Sequence, residues 1–132
     1  MACAVAAFAQ PSPPRGTSPF ALTVEPSALT AEHIDVRVAL SFPPRHVIYA
    51  ATFRVTAGDN GATLESLRLP QPDKKPDSAD PTKQIGVYAH PFETLWRLSP
   101  RRGHVSLRIA YQGCDDKVCF MPQKRMFRFD VG

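Results

Sequence analysis

From Phe20 onward, apolar and polar residues alternate with a period of two. Ile34, Val36, Val38, Leu40 and Phe42 alternate with His33, Asp35, Arg37, Ala39 and Ser41, which predicts a half-buried strand. After the turn segment "PPRH", Val47, Tyr49, Ala51, Phe53 and Val55 repeat the pattern. Leu64, Leu67 and Leu69 mark a less regular strand behind the turn signal "GDNG". Phe92, Thr94, Trp96 and Leu98 alternate again, followed by Val105, Leu107, Ile109 and Tyr111, and finally by Phe127, Phe129 and Val131. No window carries helical periodicity. About six to eight short strands, with turns every 8 to 12 residues or so, predict an all-β, immunoglobulin-like antiparallel β-sandwich with Trp96 and Phe53 inside.

One segment breaks the rhythm. "PQPDKKPDSADPTKQIG", from Pro70 to Gly86, is polar, rich in proline and too long for a simple hairpin turn. Long loops in compact domains are functional flaps or excursions, and both readings stand at this point. The flap reading expects a movable cover over the cysteines discussed below.

Composition adds little to the fold but narrows the function. The 132 residues suffice for one domain with a real core. The 14 prolines favour stiff turns over long helices. A net charge of +4 and a pI near 9.2 raise the question of a polyanionic partner. The cations, however, alternate with apolar residues, as in "RVALSF" and "RMFRFDV", which describes the wetted face of a sheet and argues against nucleic-acid binding. No stretch reaches the roughly 18 apolar residues of a membrane span. The opening "MACAVAAFAQ" is small and apolar, and Ala7-Phe8-Ala9 has the form of a signal-peptidase site. Residues 1–19 are therefore read as a residual export signal and proline-rich leader, and residues 20–132 as the domain. Cleavage after Ala9 would remove Cys3 and leave two cysteines in an oxidising, extracytoplasmic compartment.

Those two, Cys114 and Cys119, stand in "YQGCDDKVCFMP" between the strand ending at Tyr111 and the one around Phe127. Gly113 and four intervening residues allow the chain to curl back, so a local disulfide is feasible. It is a weak staple: loop entropy gives about 2 kcal/mol for a ring of six residues, against about 4 for one of some 60. A short ring at a surface tip suits reversible exchange. A working thiol pair and a structural bridge both remain open from the residues alone. Metal is the least favoured reading, because a closed zinc site needs four ligands and His33, His46, His90 and His104 lie singly. Local charge distinguishes the two sulfurs. Asp115 and Asp116 follow Cys114 and disfavour a thiolate there, whereas Lys117, Lys124 and Arg125 neighbour Cys119.

The motif resembles the active-site region of the N-terminal periplasmic domain of the thiol:disulfide interchange protein DsbD family. Tyr111, Gln112, Gly113, Cys114, Asp116, Cys119 and Pro122 match its pattern directly. Phe120 stands where the family usually has tyrosine, and Met121 where it has its first proline. "HVIYA" resembles the aromatic strand near the family's active site, which brings in Tyr49, and "IGVYAHPFE" resembles the strand after its cap loop. The C-x4-C spacing is one residue shorter than the commonest form, and "DSADPTKQIG" lacks the cap aromatics.

The resemblance implies a protein-disulfide reductase domain in which Cys114 and Cys119 are the catalytic pair. Tyr49, Tyr111, Gln112, Gly113, Asp116, Phe120 and Pro122 would support the site. It implies no cofactor beyond the two thiols. It further implies a membrane or thioredoxin-like electron donor and, as acceptors, periplasmic thiol-disulfide oxidoreductases, with Cys119 bonding to partners. The rival is a secreted β-sandwich binding module whose Cys114–Cys119 bridge is purely structural.

Overall fold

The computed structural model describes residues 18–58, 62–77, 79–99 and 103–131, so the proposed export signal and most of the leader lie outside the described residues. Eleven strands follow in order: β1 (Ala21–Leu29), β2 (Ile34–Ser41), β3 (Val47–Tyr49), β4 (Arg54–Ala57), β5 (Thr63–Arg68), β6 (Asp73–Pro76), β7 (Gln84–Tyr88), β8 (Phe92–Ser99), β9 (Gly103–Tyr111), β10 (Gly113–Cys114) and β11 (Gln123–Val131). The only helical element is a single 3-10 turn, Ala50–Thr52, among the described residues. No helix there is long and apolar enough to cross a membrane.

All strand pairs are antiparallel. One sheet runs β1-β2-β8-β5 and a second runs β11-β9-β4; a smaller third sheet, β10-β3-β7-β6, completes one end. This is the immunoglobulin-like sandwich that the period-two patterning predicts. Ile34, Val36, Val38 and Leu40 of β2, with Trp96 and Leu98 of β8, meet Val105, Leu107 and Ile109 of β9 and Phe127 and Phe129 of β11 in one core. Twelve large apolar side chains, all but Val87 in this interior, are less than 2% exposed. At roughly 1.5–3 kcal/mol for each, their burial far outweighs anything a six-residue disulfide ring contributes. Two buried polar side chains satisfy each other: Trp96 Nε1 donates to Thr94 Oγ1 at 2.6 Å, and that hydroxyl donates to the Val38 carbonyl at 2.9 Å. A far-UV spectrum of β type, without a helical double minimum, is the expected solution signature.

Three features differ from the pattern. Asp35, on the polar side of the alternation, is buried and pairs with Arg97 at 2.8 and 3.1 Å across β2 and β8. The Arg97 hydrogen bonds hold its carboxyl below the ordinary range against the opposing effect of burial.

The second difference is in the Val47 to Val55 run. Ile48, not Val47 or Tyr49, enters the core, with Val55 beyond it; Phe53 is only half-buried at the core margin. The 3-10 turn causes the switch. Between the pairs Ile48–Gly113 and Arg54–Ala110, five residues on one strand face two on the other. The three-residue turn absorbs the excess and resets which face each side chain takes.

The third is the long polar segment. Instead of a loop, it forms the hairpin β6–β7, registered from Asp73–Val87 to Pro76–Gln84. Tyr88 anchors its base, donating its hydroxyl to the Pro70 carbonyl at 2.9 Å. Asp77 and Asp80 tie the tip, accepting the Ala79 and Thr82 amides through their side chains.

Candidate functional site

The turn that resets the register also builds the site. β4 and β9 belong to the sandwich, but their continuations β3 and β10 join the third sheet with β7 and β6. Thr52 holds the corner: its hydroxyl accepts the Gln112 amide at 3.0 Å and donates to the Tyr49 carbonyl at 2.7 Å. The Tyr49 amide in turn donates to the Gln112 carbonyl at 3.1 Å. The kink turns the chain out of the sandwich at Gln112 and delivers Gly113 and Cys114 to a different sheet.

Beyond Cys114 the chain reverses at once. Cys114 and Cys119 face each other as a cross-strand pair, with Cα atoms 3.9 Å apart and their sulfurs bonded. Asp115 N donates to the Val118 carbonyl and Phe120 N to the Gly113 carbonyl, both at 2.9 Å. The four intervening residues are thus one tight turn, which accounts for the C-x4-C spacing. Asp115 ties this turn, its carboxylate accepting the Lys117 amide at 2.7 Å and the Val118 amide at 2.8 Å.

Those backbone donors, Val118 first and Lys117 second, hold the Asp115 carboxyl below its ordinary value, and the charges of His46 and Lys117 act in the same direction. The turn therefore keeps its full support above the ordinary carboxylate range and loses it as pH falls through the lowered folded value. The Lys117 and Val118 amide resonances should move together through that acid titration. Asp115→Asn should flatten the response, and an unchanged titration in the variant would refute the assignment.

The two cysteines differ sharply in access. Cys114 is 3% exposed, whereas Cys119 is an exposed residue on the outer limb of the turn. The Tyr49 hydroxyl lies 3.7 Å from Cys119 Sγ, close enough to donate to it. Val118 and Met121, on either side of Cys119, are 54% and 78% exposed, so the accessible sulfur sits within an apolar rim.

Of the residues that the motif singles out, Tyr49, Cys114 and Asp116 line one side of a cleft of about 320 Å³ beside the disulfide. Lys75, Pro76 and Ile85 of the β6–β7 hairpin contribute to its lining, with Arg45 and Asp115. The hairpin stands beside the disulfide, with strand residues rather than its tip in the lining. Gln112 closes the base of the turn, its side-chain amide donating to the Phe120 carbonyl at 3.2 Å. Tyr111 is buried in the core, which pushes its hydroxyl pKa up. Pro122 stands apart from this cleft and lines a shallow groove with Arg54, Ala110 and Lys124.

Phe20 and His46 escape the sequence reading. Phe20 packs under the turn, its ring centre 5.8 Å from Phe120 and 5.7 Å from His46, and His46 stacks on Phe120 at 6.1 Å. A Cβ on Gly113 would fall within 2.6 Å of three carbons of the Phe20 ring, so this ring needs glycine at that position. "SPFAL" carries no signal of this role, since the contact joins residues more than ninety positions apart. Thr52 is equally silent in sequence. Among the described residues, no three His, Cys, Asp or Glu side chains group as metal ligands.

Comparison with known proteins agrees with this geometry. No curated protein sequence matches the chain. In the structure of the complex between the DsbD N-terminal and PilB N-terminal domains from Neisseria meningitidis, a similar chain gives a TM-score of 0.57 at 18% identity, covering 83% of this chain and 80% of that one. The reduced DsbD N-terminal domain from Neisseria meningitidis gives 0.49 at 18% identity, covering 76% and 86%. The GAE domain of yeast GGA1 gives 0.53 at 9% identity, covering 92% and 95%. Likeness at these identities speaks for the fold alone, and a shared sandwich does not assign an activity. The sequence family is more specific. Its pattern matches residues 18–131, spanning all three sheets and the disulfide turn, and the chain belongs to the family of the thiol:disulfide interchange protein DsbD, N-terminal domain.

Proposed function

We propose that the Cys114–Cys119 pair is exchange-active and passes two electrons to oxidised proteins outside the cytoplasm. Cys119 is the sulfur that bonds to partners. Its thiolate attacks one sulfur of a partner disulfide, forming a mixed disulfide, and the partner's other sulfur leaves as a thiolate that takes up a proton. Cys114 then attacks Cys119 Sγ as a thiolate, which re-forms the internal bridge and releases the partner's second thiolate. Two electrons and two protons move from the dithiol to the partner, and a membrane or thioredoxin-like dithiol donor restores the reduced pair. The two sulfurs are the whole redox centre, and no cofactor is required.

The observation that carries this reading is the unequal access of the two sulfurs, with Cys119 exposed among apolar residues and Cys114 buried. An attacking group needs to reach only one sulfur, while the resolving one stays within bonding distance. The apolar rim of Val118 and Met121 suits a protein partner better than a small polar one. The sandwich core also makes the bridge dispensable as a staple. Family membership supports thiol–disulfide interchange as the chemistry, and the Neisseria complex supplies a precedent for a protein partner. The extracytoplasmic location rests on the Ala7-Phe8-Ala9 segment and on the family. The test is a redox titration of the pair against glutathione and dithiothreitol buffers. An exchanging pair should have a potential above roughly −300 mV, whereas a value below it, with resistance to glutathione, would leave only a structural bridge.

A further inference from the structure

The cations that look evenly scattered in the sequence are gathered by the sheet register. In β4, β9 and β11, Arg54, Ala110 and Lys124 lie side by side on one rung, and Thr56, Arg108 and Met126 lie on the next but one. Alternation along each strand places these six on the outer face, opposite the core residues Val55, Ile109 and Phe127. Together with Arg125 they line an open groove of about 500 Å³.

Its cations contrast with those of the opposite sheet. There, Arg37 pairs with Glu25 and Arg97 with Asp35. Arg54, Arg108 and Lys124 form no ion pair within the described residues, and β4, β9 and β11 contain no glutamate and a single aspartate, Asp130 at the far end of β11. A second shallow groove, which shares Arg54, Ala110 and Lys124, continues along the same face to Gln112 and Pro122 at the base of the redox turn. The distance from Arg108 to Gln112 along β9 is about 13 Å, the span of some four extended residues.

We propose that this face is a docking track for an acidic segment of the exchange partner, lying beside the mixed disulfide at Cys119. The inference rests on the exchange reading above. Three unpaired cations on a face that runs to Pro122, three residues after Cys119 in the chain, favour an occupant with several carboxylates close to its reactive cysteine. The exposed Met126, at 46%, provides apolar contact between them. Electrostatic complementarity of this kind acts chiefly on encounter rate and partner choice, and salt weakens it.

The test uses the protein reduced with dithiothreitol and desalted. Two synthetic peptides each carry one cysteine as a 2-pyridyl disulfide, preceded by four glutamates or four glutamines. The neutral reagent 2-hydroxyethyl 2-pyridyl disulfide measures intrinsic thiol reactivity, and each peptide rate is divided by its rate. Release of 2-thiopyridone reports attack. At low ionic strength the glutamate peptide should react about tenfold faster than the glutamine peptide, and about 0.5 M salt should remove most of that advantage. In Arg54→Glu/Arg108→Glu/Lys124→Glu the preference should vanish or reverse. The salt dependence of the unmodified protein makes the same test without any substitution.

Equal peptide rates alongside normal reaction of the neutral reagent would overturn the docking track and leave exchange standing. No reaction with any of the three disulfides would remove exchange and the track together. If the peptides react equally and the protein instead co-sediments with phosphatidylglycerol vesicles in a manner lost in the triple variant, the face is a lipid-binding surface and the proposal fails.

Discussion

Reduced Cys114→Ala protein, mixed with an oxidised thioredoxin-like oxidoreductase, is expected to accumulate a covalent complex on a non-reducing gel. Cys119→Ala should give none and should lose turnover completely. With Cys114 absent, the mixed disulfide at Cys119 lacks its resolving thiol, so the intermediate persists. With Cys119 absent, the remaining cysteine is only 3% exposed at the wall of the cleft, which leaves little of its sulfur open to a bulky protein partner. Charge acts in the same direction, since Asp115 and Asp116 adjoin Cys114 while Lys117 lies nearer Cys119. Access is the larger effect, because exposed charges near a turn are well screened. Capture by Cys119→Ala alone would reverse the assignment, and capture by neither variant would favour the structural bridge.

Removing Phe20 should cost about 3 kcal/mol of stability, the usual loss for a buried phenylalanine cut to alanine. The residue is 7% exposed, and its ring holds together four other aromatic groups beneath the disulfide turn, Phe42 at 5.3 Å and Tyr111 at 6.4 Å alongside His46 and Phe120. Gly113→Ala should be destabilising by about 1–3 kcal/mol through overpacking against that ring. The two losses should not add. Once Phe20 is alanine, the space that a Cβ at Gly113 needs is free, and the second substitution should cost little. Denaturant unfolding of both single variants and the double variant measures the coupling. Additive losses would mean that Gly113 is required for a reason other than Phe20.

The aromatic cluster also marks how far the sequence is legible. Alternation along one strand reports which side chains share a face, because successive residues on a pleated strand point to opposite sides. That local rule suffices for β2, β8, β9 and β11, from which Ile34, Val36, Val38 and Leu40, Trp96 and Leu98, Val105, Leu107 and Ile109, and Phe127 and Phe129 reach the core. Where a turn interrupts the strand, the rule carries the wrong phase forward, as between Val47 and Val55. Strand β6 is illegible for a related reason. All four residues of β6 are charged or proline and exposed, so pairing with β7, rather than a buried face of its own, makes it a strand.

At the site, the family motif and the local ring were legible in "YQGCDDKVCFMP", because four residues between cysteines restrict the chain to a tight reversal. Contacts across the fold were not. Thr52 meets Gln112 and Phe20 meets Gly113 only after the strands have found their register, and nothing local in either segment announces a partner so distant in the chain. Charge shows the same division. The sequence alone determined that the protein is basic and that its cations alternate with apolar residues, which is a property of single strands. That Arg54, Arg108 and Lys124 share one face follows only from the fold, since it depends on which strands lie side by side.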